Sequence, residues 1–358
     1  MDIEKRIELI SQVGEEIITP EDLRNLLETK SHPIAYDGFE PSGHVHIAQG
    51  LLRAINVNKM LKAGCRFKML VADWHAWANN KMGGSLENIQ LVGKYLIEVW
   101  KACGMRTEGV EFVWASEFVR DEGYWKKVMQ VARHSTVKRI IRCGQIMGRK
   151  ESEVLQASQI LYPCMQCADI FQLKADICQL GMDQRKVNML AREVGPKLGY
   201  WKPVVVSHHM LMGLLKPASE TKDKIERAIE LKMSKSRPDS AIFMTDSPED
   251  VKRKITKAYC PPKETRENPV LEYAKYIIFE KFREFKISRP AKFGGDVSFG
   301  TYAELEKAYA KGEIHPLDLK NAVSLYINQL LDPVREHFKK NRKAKELFTK
   351  VGKLEVTR

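Results

Sequence analysis

From Pro33 to His208 the chain alternates short apolar runs with longer stretches of helical period, and this pattern constrains the fold more than any other feature. Ile34 to Gly38, Phe67 to Asp73, Val110 to Ala115, Ala175 to Leu180 and Pro203 to His208 have the length and composition of strands. Between them, His46 to Lys62, Leu86 to Cys103, 123 to 148, 151 to 173 and Gln184 to Leu198 repeat at helical spacing. Strands separated by helices of this length cannot pair as hairpins; they predict βαβ units and a parallel sheet. The expected class is α/β, an open parallel sheet followed by a second unit.

That second unit begins after Leu231, where a Lys-rich loop gives way to helical segments at Ser247 to Tyr259, Pro269 to Phe279, Thr301 to Lys311 and Pro316 to Leu331. Residues 1–30 read as helix, with Thr19 as cap, Pro20 in the first turn and Glu21 and Asp22 behind it. The expected division is a helical segment over 1–30, an α/β domain over 31–228, a loop over 229–246 and a mostly helical domain over 247–358. A chain of 358 residues, 44% hydrophobic, has material for more than one core.

No apolar stretch approaches the roughly 20 residues of a membrane helix, so no membrane partner is expected. Met1-Asp-Ile-Glu-Lys-Arg6 does not read as a secretory leader, and seven dispersed cysteines fit free thiols in a reducing compartment. A cytoplasmic location is expected. The 59 Lys and Arg exceed the 46 Asp and Glu by 13, which favours a polyanionic partner. Much of the excess lies in residues 339–358, which read equally as a phosphate contact or a frayed end.

No strand leads into G-x-G-x-x-G, and the glycines at 144 and 148 are too close for a P-loop, so dinucleotide and P-loop chemistry are disfavoured. The first strand instead runs into Gly38-Phe-Glu-Pro-Ser-Gly43-His44-Val-His46-Ile-Ala-Gln49, a tight loop opening a helix. Backbone N–H groups and the helix dipole can hold a phosphate there, with His46 and Gln49 on one face. Downstream stands Lys232-Met-Ser-Lys235-Ser236, whose two ammonium groups suit a polyphosphate that gains charge in a transition state. Tyr162, Gln166 and Asp169 share one stripe of an otherwise apolar helix, so they must find partners or line a polar cavity. Cys164 and Cys167 lie within that helix with no second such pair, and no metal site is expected.

His46 to Gln49 resembles the HIGH motif and Lys232 to Ser236 matches the KMSKS motif, the two marks of class I aminoacyl-tRNA synthetases. The resemblance extends over nearly the whole chain and is strongest to the tyrosyl enzymes of archaeal and eukaryotic cytosolic type. It is carried by Tyr36 to Gly43, Ala72 to His75, Tyr162 to Asp169, Gly181 to Lys186, Lys292 to Asp296 and His315 to Asn321. It implies a Rossmann-like catalytic domain, a helical anticodon-binding domain, a homodimer joined around 115–160, and tyrosine, ATP with Mg²⁺, and tRNA(Tyr) as substrates.

Within that resemblance Tyr36 and Asp169 meet the phenol hydroxyl, while Tyr162, Gln166 and Gln184 hold the α-amino group. Gly43, His46, Gln49, Gly181 and Asp183 meet ATP, and Lys232 and Lys235 attend the leaving pyrophosphate. His46, Gln49, Lys232 and Lys235 form the catalytic set. Arg142 and Lys186 would face the acceptor stem, and Phe293, His315 and Asp318 the anticodon. Ala48 and Gln49 depart from the motif's Gly and second His, and Gln49 can donate a hydrogen bond but bring no charge. The alternatives are a tryptophan–tRNA ligase, a smaller class I nucleotidyltransferase and a non-catalytic tRNA-binding paralogue.

Overall fold

The computed structural model describes residues 1–147, 156–216, 227, 231, 233 and 238–354. Six strands form the main sheet: β1 Gly14–Ile18, β2 Ile34–Phe39, β3 Arg66–Val71, β4 Val110–Trp114, β5 Ile177–Cys178 and β6 Val204–His208. Their order is β1-β6-β5-β2-β3-β4, parallel except for β1, which runs antiparallel to β6. The chain therefore proceeds from β2 outward through β3 and β4, then returns to β2's other side with β5. The ends of β2 and β5 bound a topological switch point, where ligands of open α/β sheets bind.

The central strands β5 and β6 are buried on both faces, as a sheet covered on both sides requires, while the edge strands β1 and β4 carry Glu15, Glu16 and Glu111. Ala35, Phe67, Met69, Ile177, Val204 and Val206 enter one core with the residues of α1 (Ile3–Ser11), α2 (Pro20–Thr29), α3 (Arg53–Lys62) and α5 (Leu86–Ala102). Tyr36, Leu70, Cys178 and Val205 enter the other. That second core lies under α7 (Glu122–Arg133), α8 (Val137–Cys143), α9 (Ala157–Gln172) and α10 (Arg185–Val194); α4 (Asp73–Ala78) and α6 (Ala115–Phe118) are short caps after β3 and β4.

Three expectations change before residue 150. Gly14–Ile18 is a strand rather than helix: Thr19 caps α2 through its side chain, so the helix begins at Pro20 and the five residues before it are free to pair with β6. The 123–148 helix divides at Ser135-Thr136, where the Thr136 hydroxyl accepts from Arg139 N–H and starts α8. The helix expected from His46 opens with a π-type turn, Ala48–Leu52.

Beyond residue 238 come α11 (Pro248–Lys257), α12 (Pro269–Tyr273), a π-type turn and α13 (Phe279–Lys281), then α14 (Tyr302–Lys311), α15 (Pro316–Lys340) and α16 (Arg342–Val351). A small hairpin of β7 (Phe285–Ile287) and β8 (Val297–Phe299) interrupts the helices. Helix α15 runs nine residues past the expected Leu331, through Pro333, and residues 342–351 form a helix of their own. No helix among the described residues is long and apolar enough to cross a membrane.

Candidate active site

A cavity of about 290 Å³ opens at the carboxyl ends of β2, β5 and β6. Tyr36, Gln49, His75, Tyr162, Gln166, Asp169, Asp183, Gln184 and Met233 all reach its wall. Strand β2 aims Tyr36 inward, and α9 presents Tyr162, Gln166 and Asp169 from the opposite side, so the sequence stripe does face a cavity. Pro163 is the seventh residue of α9, inside the helix, so it removes the N–H that would otherwise bond Gln159 O.

The deep end is shut off from solvent. Tyr36 is 1% exposed and its buried hydroxyl has no hydrogen-bond partner among the described residues. Asp169 is fully buried: Tyr124 Oη donates to its Oδ1 at 2.9 Å, and His75 Nε2 stands 2.8 Å from Oδ2 without hydrogen-bond alignment. Burial opposes a charge on His75, but the Asp169 carboxylate outweighs it and holds the imidazole above its ordinary pKa. Burial pushes the phenols of Tyr36, Tyr124 and Tyr162 well above theirs, so all three remain neutral O–H donors. Around the rim Gln166 Nε2 donates to Gln184 Oε1 at 3.0 Å, and Asn79 Nδ2 donates to Glu40, whose carboxylate faces the cavity.

The outer end is built differently. Asp37 on β2 and Arg53 on α3 form a fully buried ion pair. Arg53 also donates to Gln179 Oε1 at 2.7 Å and approaches His208 Nδ1 at 3.1 Å, to which Gln179 Nε2 also points at 3.0 Å. Two donors at Nδ1 leave the proton on Nε2, and burial with the neighbouring Arg53 holds His208 well below its ordinary pKa. Burial raises Asp37 to about 6 against the pull of Arg53. This network braces the strand ends beneath Gly181 and Asp183. A Cβ at Gly181 would lie 2.5 Å from Met210 Sδ and 2.7 Å from Asp183 Oδ1, so a side chain there would have to displace both.

Ile47 N–H donates to Ile242 O at 2.8 Å and Met244 N–H to Val45 O at 2.9 Å, so the segment after the Lys-rich loop is laced to the loop bearing His46. A Cβ on Gly50 would lie 2.5 Å from Met244 Sδ, so the close approach requires glycine. Gly43 turns the loop at a φ of 101°, behind the cavity rather than on its wall. His46 lines the cavity, and so does Gln49, whose buried Oε1 has no partner among the described residues. Lys232 and Lys235 lie outside the described residues; Met233 between them is buried, with its Sδ 3.9 Å from Tyr273 Oη.

His209, beside the cavity, ties the helical region to the sheet: its ring stacks on Tyr276 and its nitrogens lie 3.1 Å from Glu15 and 3.0 Å from Glu272. Burial opposes its charge, but the two carboxylates raise it to about 9.

The other sequence candidates lie away from the cavity. The Cys143 thiol donates to the Lys186 carbonyl at 3.6 Å, so the helices bearing Arg142 and Lys186 run side by side. Phe293 is 59% exposed, and Arg289 bridges its loop to Glu313 O at 2.6 Å, two residues before His315. His315 caps α15, accepting from Leu317 N–H, with Asp318 in the first turn. Sequence reasoning gives no role to His75, Tyr124 or Glu40. His75 stands inside a matched stretch, as a histidine in an apolar context, whereas Tyr124 reads as an ordinary apolar position on an amphipathic helix.

Comparison with known proteins agrees with this geometry. The family of tRNA synthetases class I (W and Y) matches residues 28–332. The cytoplasmic tyrosine–tRNA ligases 2 and 1 of Arabidopsis thaliana are 52% and 51% identical over 99% and 100% of the chain. The chain spans 46% of the length of the former and 90% of the latter. The structure of tyrosyl-tRNA synthetase from Pyrococcus horikoshii, complexed with L-tyrosine, superposes with a TM-score of 0.91 at 42% identity, over 98% of this chain and 100% of that one. A buried tyrosine-and-aspartate pocket at the switch point, the loop bearing His46 bonded to the segment after the Lys-rich loop, and these likenesses together show that the chain belongs to the class I tRNA synthetases of the tryptophan and tyrosine group, on the side of the archaeal and eukaryotic cytoplasmic tyrosine–tRNA ligases.

Proposed function

We propose that the chain activates L-tyrosine with ATP and transfers the tyrosyl group to the 3′ end of tRNA(Tyr). A tyrosine carboxylate oxygen attacks the α-phosphorus; the bond to the bridging oxygen breaks, and Mg-pyrophosphate leaves. A ribose hydroxyl of the terminal adenosine then attacks the tyrosyl carbonyl, and AMP leaves. The carrying observation is the deep end of the cavity, where Tyr36 has a buried hydroxyl to spare and Asp169 a buried carboxylate. A phenol O–H satisfies both, whereas phenylalanine strands them; discrimination of this kind reaches about 10⁵, a magnitude already established for tyrosine-specific enzymes of this very class. An indole matches neither group as well, which disfavours tryptophan.

Tyr162, Gln166 and Gln184 take the α-amino group, with Glu40 supplying negative charge beside it. His46, Gln49, Gly181 and Asp183 receive ATP, and Gly43 shapes the loop. Lys232 and Lys235 neutralise pyrophosphate as it departs, so catalysis is orientation and charge stabilisation rather than proton transfer. Arg142 and Lys186 face the acceptor stem; exposed Phe293, with His315 and Asp318, offers the stacking and polar groups by which unpaired bases are read. Apolar Met129, Val137 and Leu161, all exposed, fit a homodimer joined around 115–160. A cytoplasmic setting follows the relatives' names and seven buried free cysteines.

The test is tyrosine-dependent ATP–pyrophosphate exchange, then charging of a tRNA(Tyr) transcript. Exchange driven by tryptophan instead, or no charging alongside robust exchange, rejects the reading.

A further inference from the structure

Helix α16 and the end of α15 carry a feature that the tyrosine and ATP chemistry does not use. Residues 339–354 include Lys339, Lys340, Arg342, Lys343, Lys345, Lys350 and Lys353, all exposed, against a single acid, Glu346. The segment is not frayed. Ala344, Leu347 and Val351 are buried, and Phe348 meets Tyr95 of α5, Phe338 and His44 at ring distances of 6.2, 5.9 and 6.1 Å. The helix is thus moored on the catalytic side, beside the loop that bears His46, with its cations turned outward.

Such crowding of like charge works against a helix. Lys340 pairs with Glu336 at 2.6 Å and Arg342 with Glu346 at 3.1 Å, both exposed and so worth little. Among the described residues no carboxylate lies in ion-pair range of Lys343, Lys345, Lys350 or Lys353. A polyanion laid along this face relieves the repulsion.

We propose that the outward face of residues 339–353 binds the phosphodiester backbone of the tRNA substrate; the identity of that polyanion rests on the function proposed above. A bilayer is a poor fit, because an interfacial helix must offer an apolar face and this one has already buried its own. The face has no aromatic group to stack on bases, so it adds affinity and no sequence choice. It is also separate from the anticodon residues: all but the last two of α15's 25 residues lie between His315 and this segment, about 35 Å at 1.5 Å per residue.

The experiment neutralises Lys343, Lys345 and Lys350 together (K343Q, K345Q, K350Q) and measures direct binding of a tRNA(Tyr) transcript across a salt series. A control protein carries K5Q, K62Q and K197Q, three exposed lysines elsewhere. Loss of about 0.9 in the slope of log affinity against log salt is expected per phosphate contact removed, so the first variant's slope falls by up to about 3. Its affinity for a transcript with a changed anticodon falls by the same factor, and tyrosine-dependent pyrophosphate exchange stays at the unaltered rate. A slope equal to that of the unaltered protein overturns the proposal, as does an equal fall in the control or a preference for anionic vesicles over RNA. Absence of exchange in the unaltered protein sinks the function proposed above, while the salt slopes still decide this one.

Discussion

The two ends of the cavity are both buried and polar, yet they are assembled on opposite principles. At the outer end Asp37, Arg53, Gln179 and His208 bond one another, with Arg53 Nε left over among the described residues, and the network holds the strand ends. At the deep end Tyr36 keeps a hydroxyl without a partner, and Asp169 has His75 close by but misaligned. A closed network rigidifies; an incomplete one is costly until a ligand completes it. Recognition is therefore expected where satisfaction fails, and support where it succeeds.

Substitutions at each end test that contrast. Arg53→Met strands the Asp37 carboxylate in the core and is expected to lower stability by about 3–5 kcal/mol, as breaking a buried pair does. Urea unfolding measures it; a loss below about 1 kcal/mol shows that the outer network is not a brace. Asp169→Ala is expected to leave the fold standing and cut kcat/KM for tyrosine by roughly 100-fold, about 3 kcal/mol, the order of a hydrogen bond to a charged group. Pyrophosphate exchange with tyrosine near the unaltered rate would contradict it.

His75→Gln sharpens the same point. It keeps a donor but removes the imidazole whose protonation Asp169 favours, and preference for tyrosine over phenylalanine should fall about tenfold, or about 1.4 kcal/mol. A pH-dependent effect concerns His209, which joins the halves of the molecule. Its folded-state pKa of about 9 exceeds the ordinary 6.5, so its stabilisation is complete below about 6.5 and disappears as pH rises through about 9. His209→Gln should remove that sloping component from stability measured between those values; an unchanged pH profile would show that the ion pairs contribute nothing.

Much of this is legible in the sequence because it depends on local spacing. The βαβ alternation follows from periods of two and 3.6, and Tyr162, Gln166 and Asp169 announce themselves as a stripe on one helix. The missing pieces depend on partners far away in the chain. Strand β1 is five residues whose ladder lies on β6, and nothing around Gly14 signals that. His75 and Tyr124 gain their roles from Asp169, which lies 94 and 45 residues downstream of them. Helix α16 reads in sequence as either a contact or a loose end, and only its packing against Tyr95 and His44 decides between them.

The hydrogen bonds around the Lys-rich loop have one more consequence. Gly213 N–H donates to Leu231 O at 2.7 Å, Leu214 N–H to Ser240 O at 2.9 Å, and Tyr259 N–H to Leu214 O at 2.7 Å, so entry and exit are knotted at the base. The entropy of bringing those ends together is met in folding, not when nucleotide arrives.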